Sequence, residues 1–155
     1  MKVREIMTTD VISVREDQAI EDAARVLARH RISGLPVLNA GGALVGLVTE
    51  LDLISRSGRT VADVMSRGVI SVSPDTEIET LVNILTDRRI RRVPVLEGDR
   101  LAGIVSRSDL VRQIAMRWVC HTCGERLFSA TVPDQCPRCG AASEAFSQLN
   151  EMPGM

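Results

Sequence analysis

All four cysteines of the 155-residue chain fall within one short stretch, as Cys120-His121-Thr122-Cys123-Gly124 and Cys136-Pro137-Arg138-Cys139-Gly140. Two C-x2-C pairs, each followed by glycine, have the pattern of two metal knuckles: the thiolates converge on one ion, and glycine permits the tight backbone turn beneath them. Cys120, Cys123, Cys136 and Cys139 are therefore the candidate metal ligands. Four thiolates complete a tetrahedron without His121, which reads as a solvated spacer. Two disulfides or an unliganded redox pair are the competing readings. The first needs an oxidising compartment, and the second would not call for another C-x2-C with a matching glycine.

A second chemistry is offered twice. Gly46-Leu47-Val48-Thr49-Glu50-Leu51-Asp52 and Gly103-Ile104-Val105-Ser106-Arg107-Ser108-Asp109 each run a short strand into a helix start. Thr49 or Ser106 places a hydroxyl beside the free N–H groups of a first helical turn, an environment that attracts phosphate. Asp52 or Asp109, one turn on, is able to accept two hydrogen bonds from a vicinal diol. Hydroxyl plus carboxylate at this spacing suits a ribose phosphate, which makes Gly46, Thr49, Asp52, Gly103, Ser106 and Asp109 candidate ligand-binding residues. The competing reading is that each hydroxyl caps its helix and each aspartate favours the positive helix end. The two readings are compatible. Arg88-Arg89-Ile90-Arg91-Arg92 is the densest charge cluster; its first two arginines read as a solvated helix end.

These residues sit on a duplicated framework. Residues 3–38 align with 61–96 at a constant offset of 58, and after a one-residue gap Gly46, Val48, Asp52 and Leu53 match Gly103, Val105, Asp109 and Leu110. Each copy predicts a strand (11–14), a helix (18–30, with Ile20, Ala23, Ala24 and Leu27 on one face), strands at 35–38 and 44–49 and a short closing helix. In the second copy Ile78, Leu81, Val82 and Leu85 repeat the apolar face, and Thr76-Glu77-Ile78-Glu79 has the form of a capping box. Residues 55–59 read as a linker. The division is 1–56, 57–116 and 117–155, with a fold of α/β (α+β) class. A unit of about 55 residues buries too little surface to stand well alone, so the copies are expected to pack as one pseudo-symmetric module with clefts between them.

The β-α-β-β-α unit, with Leu35-Pro36-Val37 and Val93-Pro94-Val95 ahead of the two Gly-to-Asp segments, resembles a CBS domain, and the pair resembles a Bateman module. The resemblance implies adenosine-containing ligands (AMP, ADP, ATP or S-adenosylmethionine), with the hydroxyl residue on phosphate and the aspartate on ribose. It also implies that Arg91 and Arg92 face the cleft as phosphate-binding residues, and that two modules pair as a homodimer. Ser33 and Gly34, the first-copy counterparts of those arginines, bring no charge, so the two sites are expected to be asymmetric. Trp118 to Gly124, Pro133 to Gly140 and Phe146 resemble the rubredoxin-like zinc ribbon of rubrerythrins. Zinc is the expected ion and iron the alternative, because the rest of the chain lacks the carboxylate-histidine helices of a di-iron bundle.

Composition narrows the function further. The only aromatics are Trp118, Phe128 and Phe146, so an adenine would lie between aliphatic groups such as Val11, Ile12, Val69 or Ile70, and a stacked single-strand nucleic-acid platform is disfavoured. The three aromatics are expected to form a small core about the metal. The net charge is −1 and no segment is strongly basic, which also counts against duplex binding. The first ten residues carry Lys2, Arg4, Glu5 and Asp10 with no apolar run, so no signal peptide or membrane partner is expected, and the chain reads as cytoplasmic. With no catalytic constellation, the reading is a non-enzymatic regulatory protein whose nucleotide-sensing module is coupled to a metal ribbon that contacts a protein partner. An iron electron carrier with a nucleotide-responsive module and a nucleic-acid-binding regulator are the alternatives.

Overall fold

A computed structural model describes residues 1–129 and 131–148, with the backbone alone at Ile114 and Phe128. The first repeat holds β1 (Val14–Arg15), α1 (Ile20–His30), β2 (Gly34–Leu38), β3 (Leu44–Thr49) and α2 (Glu50–Ser55). A one-turn helix α3 (Val61–Val64) leads into the second repeat, which holds α4 (Ile78–Asp87), β4 (Arg92–Glu97), β5 (Arg100–Ser106) and α5 (Arg107–Ala115). β6 (Arg117–Cys120), β7 (Arg126–Phe128) and β8 (Phe146–Gln148) make a third sheet with β6 at its centre. In each repeat the long strands form an antiparallel pair, Leu35 opposite Val48 and Val93 opposite Val105, and those four side chains are fully buried.

The first strand of each copy is shorter than the sequence predicts. Only Val14 and Arg15 pair, parallel to Val37 and Leu38, and in the second copy Val72 alone bridges Val95. A turn closed by Thr76 N–H to Ser73 O at 3.1 Å begins immediately after Val72 and ends the pairing. The same turn corrects the predicted capping box. Thr76 Oγ1 accepts from Ser73 N at 3.1 Å, Glu77 occupies the cap position without a side-chain bond, and the Ile78 N–H is satisfied by the carbonyl of Met1 at 3.1 Å. Helix α1 starts at Ile20 rather than 18 because Gln18 is used otherwise: its Oε1 accepts from Arg15 N at 2.7 Å and its carbonyl from Val61 N at 2.9 Å.

The opening segment of each repeat is exchanged with the other. Val3 is fully buried among Leu81, Val93 and Val105 of the second repeat, whereas its counterpart Val61, with Val64 and Met65, is buried among Leu27, Val37 and Val48 of the first. Short bridges complete the exchange, Thr8 to Ile104 and Ser66 to Leu47. Residues 55–59, expected as a linker, are tied down, since Arg59 O accepts from Ile20 N at 3.1 Å and Asp63 Oδ2 accepts from Arg59 N and Thr60 N at 2.9 and 3.0 Å.

The passage into the cysteine region has no spacer. α5 ends at Ala115 and β6 begins at Arg117. The last carbonyls of a helix lack intrahelical donors, and here the ribbon supplies them: Gln148 Nε2 donates to Ala115 O at 2.5 Å and Ser129 N to Met116 O at 2.9 Å. Trp118 Nε1 donates to Ser129 O at 3.0 Å and fixes that loop. Trp118 also packs with Phe146, Cys120 and Cys136 as expected of the small core, while the Phe128 side chain and residues 149–155 lie outside the described residues.

Candidate functional site

The two knuckles are built alike. In each, the N–H of the closing glycine returns to the first cysteine's carbonyl, Gly124 to Cys120 at 2.7 Å and Gly140 to Cys136 at 2.8 Å. That bond requires a left-handed turn, and φ is +77° at Gly124 and +76° at Gly140. The four Sγ atoms lie within 4.8 Å of one another, with Cys120 to Cys139 at 3.7 Å and Cys123 to Cys136 at 3.6 Å. A tetrahedron with metal–sulfur bonds of about 2.3 Å has sulfur–sulfur edges of about 3.8 Å, so the set fits a four-thiolate ion, zinc or iron. Burial raises the Cys120 thiol, but the N–H groups of Cys123 and Thr122 and the neighbouring thiols outweigh it and bring it to about 7. At Cys123 the Glu125 N–H acts downward, but burial and the three other thiols push it up to about 12. A bound cation resolves this crowding by taking the place of the protons. His121 is exposed, as a spacer should be.

Two cavities lie where the repeats meet, and each draws on both. The first, about 670 Å³, runs between Thr49 at the end of β3 and the segment Ser66 to Ile70 of the other repeat, with Ile90 and Arg91 on a third side. The second, about 550 Å³, places Ser106 and Asp109 opposite Thr8, with Ile32 and Ser33 as the third side. Thr49 and Ser106, Ser66 and Thr8, Ile90 and Ile32, and Arg91 and Ser33 are equivalent positions of the two repeats. Ser33, Glu50, Arg91 and Arg92 line both cavities. Chemically the two differ: Leu47, Val69 and Ile70 give the first an apolar floor, whereas Arg31, Arg107 and Arg112 line the second.

The predicted residues are distributed unevenly over this geometry. Arg91 and Arg92 stand in the partition between the cavities, which places them in both. Thr49 and Ser106 stand on the walls but also cap their helices: Thr49 Oγ1 accepts from Asp52 N at 3.2 Å and Ser106 Oγ from Asp109 N at 3.4 Å. Each carboxylate folds back in turn, Asp52 Oδ2 accepting from Thr49 N at 2.9 Å and Asp109 Oδ2 from Ser106 N at 2.7 Å. Asp109 reaches the lining of its cavity, Asp52 does not, and both are nearly buried. Gly46 and Gly103 lie outside both linings, and each makes room for the exchanged segment. A Cβ on Gly46 would sit 2.7 Å from Met65 Sδ and 2.8 Å from Ser66 O, and one on Gly103 2.8 Å from both Met7 Sδ and Thr8 O. Val11 and Ile12 also fall outside the linings; Val69 and Ile70 fall inside.

Arg31, Glu50, Thr8 and Ser66 belong to the cavity walls and were not among the predicted site residues. One signal for the hydroxyl pair was present in the sequence, since Thr8 and Ser66 directly follow the repeated Met7 and Met65. Arg31 and its counterpart Arg89 both adopt left-handed backbone, with φ of 53° and 51°, which ends their helices and turns the chain toward the partition. The Arg92 guanidinium donates to Gly34 O at 3.0 Å and to Ser33 Oγ. Burial lowers its pKa, adjacent Arg91 lowers it further, and Glu50 opposes both.

Comparison with known proteins agrees with this architecture. The CBS domain model matches residues 3–59 and 61–116, and the model of the rubredoxin-like domain of rubrerythrin matches 118–147. The CBS domain-containing protein YhcV of Bacillus subtilis is 33% identical over 115 residues, which cover 70% of this chain and 81% of that protein. Inosine-5'-monophosphate dehydrogenase of Methanocaldococcus jannaschii is 32% identical, but there the match spans 72% of this chain and only 23% of the enzyme. Among solved structures, CBSX2 in complex with AMP superposes with a TM-score of 0.69 at 28% identity, over 72% of this chain and 93% of that one. The CBS domain pair of MJ0100, in complex with 5'-methylthioadenosine and S-adenosyl-L-methionine, gives 0.67 at 28% identity, over 72% and 94%. Among the described residues, no helix is long and apolar enough to cross a membrane. With two successive CBS units matched over most of its length and a rubredoxin-like four-cysteine unit after them, the chain belongs to the CBS-domain family.

Proposed function

We propose that the protein is a non-enzymatic regulator in which a CBS pair senses an adenosine-containing ligand and passes the bound state to a metal-bearing ribbon. The observation that carries this reading is the first cavity, whose lining joins aliphatic Leu47, Val69 and Ile70, suited to a base, with Thr49, Arg91 and Arg92, suited to phosphate. Solved CBS pairs of similar fold hold AMP, or 5'-methylthioadenosine and S-adenosylmethionine, which supports adenosine as the common part. Titration calorimetry of the full chain with AMP, 5'-methylthioadenosine and S-adenosylmethionine is the direct test. Heat from none of them contradicts the reading.

The route to the ribbon is α5. Its first residues, Arg107 to Asp109, line the second cavity, and its last carbonyls are held by Gln148 and Ser129 N–H. A ligand that binds two arrangements of α5 with different affinity shifts the ribbon with it. Zinc is the ion we assign to the thiolates. Homodimer formation is supported by Ile54 and Val111, which stand at equivalent positions of the two closing helices with 82% and 62% of their surface exposed. The electron-carrier reading rests on one observation, the exposure of Cys139, which would give an iron centre an edge at the surface. Metal analysis with a visible absorption spectrum separates the two, because ferric thiolate is coloured and zinc thiolate is not.

A further inference from the structure

The four sulfurs of the ribbon are unequally protected. Cys120 and Cys136 are buried, Cys123 is partly covered and Cys139 is exposed. Cys120 Sγ nevertheless lies 3.7 Å from Cys139 Sγ, a contact that joins the first knuckle to the second. A sulfur that small oxidants reach, touching a second sulfur that they do not, is the arrangement in which oxidation of one cysteine is resolved by the other. Zinc, when bound, keeps these sulfurs in the nucleophilic thiolate form and has no redox chemistry of its own. Once Cys120 and Cys139 are joined, Cys123 and Cys136 are what is left of the cluster, half of the ligands that the tetrahedron needs.

We infer that Cys139 is a peroxide-sensitive site, and that its oxidation to a disulfide with Cys120 expels zinc from the ribbon. The inference rests on the zinc assignment. The co-reactant is hydrogen peroxide. Cys139 sulfur attacks one peroxide oxygen: an S–O bond forms, the O–O bond breaks, and the departing hydroxide takes a proton and becomes water. Cys139, now a sulfenic acid, has lost an electron pair, and the peroxide has gained it. Cys120 sulfur then attacks Cys139 sulfur, so that the S–S bond forms, the S–O bond breaks, and a second hydroxide leaves and is protonated to water. Both sulfurs end oxidised and the ion departs with its charge unchanged. Loss of the ion undoes the fold of the ribbon, whose Gln148 side chain and Ser129 N–H hold the carbonyls of Ala115 and Met116 at the end of α5. Oxidation thereby frees the helix whose first turn lines the second cavity.

Treatment of the zinc-loaded full chain with hydrogen peroxide, in the presence of a colorimetric zinc chelator, tests this. Release of about one zinc for each peroxide consumed is expected, with a Cys120–Cys139 cross-link in the peptide map and reversal by a thiol reductant plus zinc. Before oxidant is added, iodoacetamide is expected to label Cys139 about tenfold faster than Cys120 or Cys136. Cys139→Ser is expected to slow peroxide-driven zinc release by about tenfold. Should that variant fail to hold zinc, the labelling order and the cross-link in the natural chain decide. Zinc retained through peroxide treatment, or a first cross-link between Cys136 and Cys139 within the second knuckle, overturns the inference and leaves the zinc assignment intact. A coloured, iron-bearing chain overturns the zinc assignment and the inference with it.

Discussion

Arg92 and Gly34 occupy the same position in the two repeats, and the guanidinium of one donates to the carbonyl oxygen of the other at 3.0 Å. A duplicated fold would ordinarily place like beside like at its approximate two-fold axis. Here a large cation has grown into the room made by the absence of a side chain, and the axis has become a charged partition between two cavities.

Arg92→Ala removes one of two cations from that partition. Charge-assisted hydrogen bonds contribute about 1.5–3 kcal/mol, so AMP affinity is expected to fall by roughly tenfold to a hundredfold. 5'-methylthioadenosine, with no phosphate, is expected to change little. Equal losses for both compounds in calorimetry would mean that the arginine shapes the cavity rather than recognising phosphate.

Gly46→Ala and Gly103→Ala each place a methyl group under 3 Å from a backbone carbonyl of the exchanged segment. Carbonyl oxygens of Ser66 and Thr8 are held in bridges and yield poorly, so each variant is expected to lose about 1–3 kcal/mol. Denaturant midpoints measure this. A stability equal to that of the natural chain would show that the segment shifts freely.

Asp63 has its carboxyl held below the ordinary value, chiefly by the backbone N–H groups of Thr60 and Arg59. A depressed folded-state value means stability that is present above the ordinary carboxylate range and is lost as pH falls through the depressed one. Asp63→Asn should therefore lower the thermal midpoint at neutral pH, and the gap from the natural chain should close in acid. A gap independent of pH would assign the effect to packing of α3.

Zinc uptake by the metal-free chain requires four thiols to shed their protons. Cys120, brought to about 7, ionises readily as pH rises, whereas Cys123, pushed up to about 12, loses its proton to solvent only as the ion binds its sulfur. Affinity measured against a competing chelator is expected to rise between about pH 6 and pH 8, with Trp118 fluorescence reporting the change from two residues before Cys120. A flat pH dependence contradicts a thiolate site.

Cys136→Ser is expected to unfold the ribbon and free the carbonyls of Ala115 and Met116 while leaving both aliphatic cores, which contain no ribbon residue, in place. Circular dichroism should show the main thermal transition largely retained. Loss of that transition together with the ribbon would mean that α5 depends on its cap more than its packing with β5 indicates.

The sequence was most informative where the governing interactions are local. Helical spacing in Ile78, Leu81 and Leu85 and the two C-x2-C-Gly turns depend on near neighbours, and these elements stand where the pattern puts them. The misread features depend on distant partners. Thr76 looks like a cap until Met1, far away in sequence, delivers its carbonyl to Ile78. The packing role of Gly46 and Gly103 was equally hidden, because the methionines that fill the space beside them belong to the exchanged opening segments. The sharing of Arg91 and Arg92 follows from the axis itself, which no single copy of the pattern contains.

The crossed burial of Val3 and Val61 bears on how such a protein could arise. One repeat alone leaves its first core incomplete and carries, in its opening segment, the piece that completes another. Two separate copies would therefore close each other's cores as a two-fold pair. Joining them end to end keeps the crossed burial and leaves the halves free to differ, as Gly34 and Arg92 do at one repeat position.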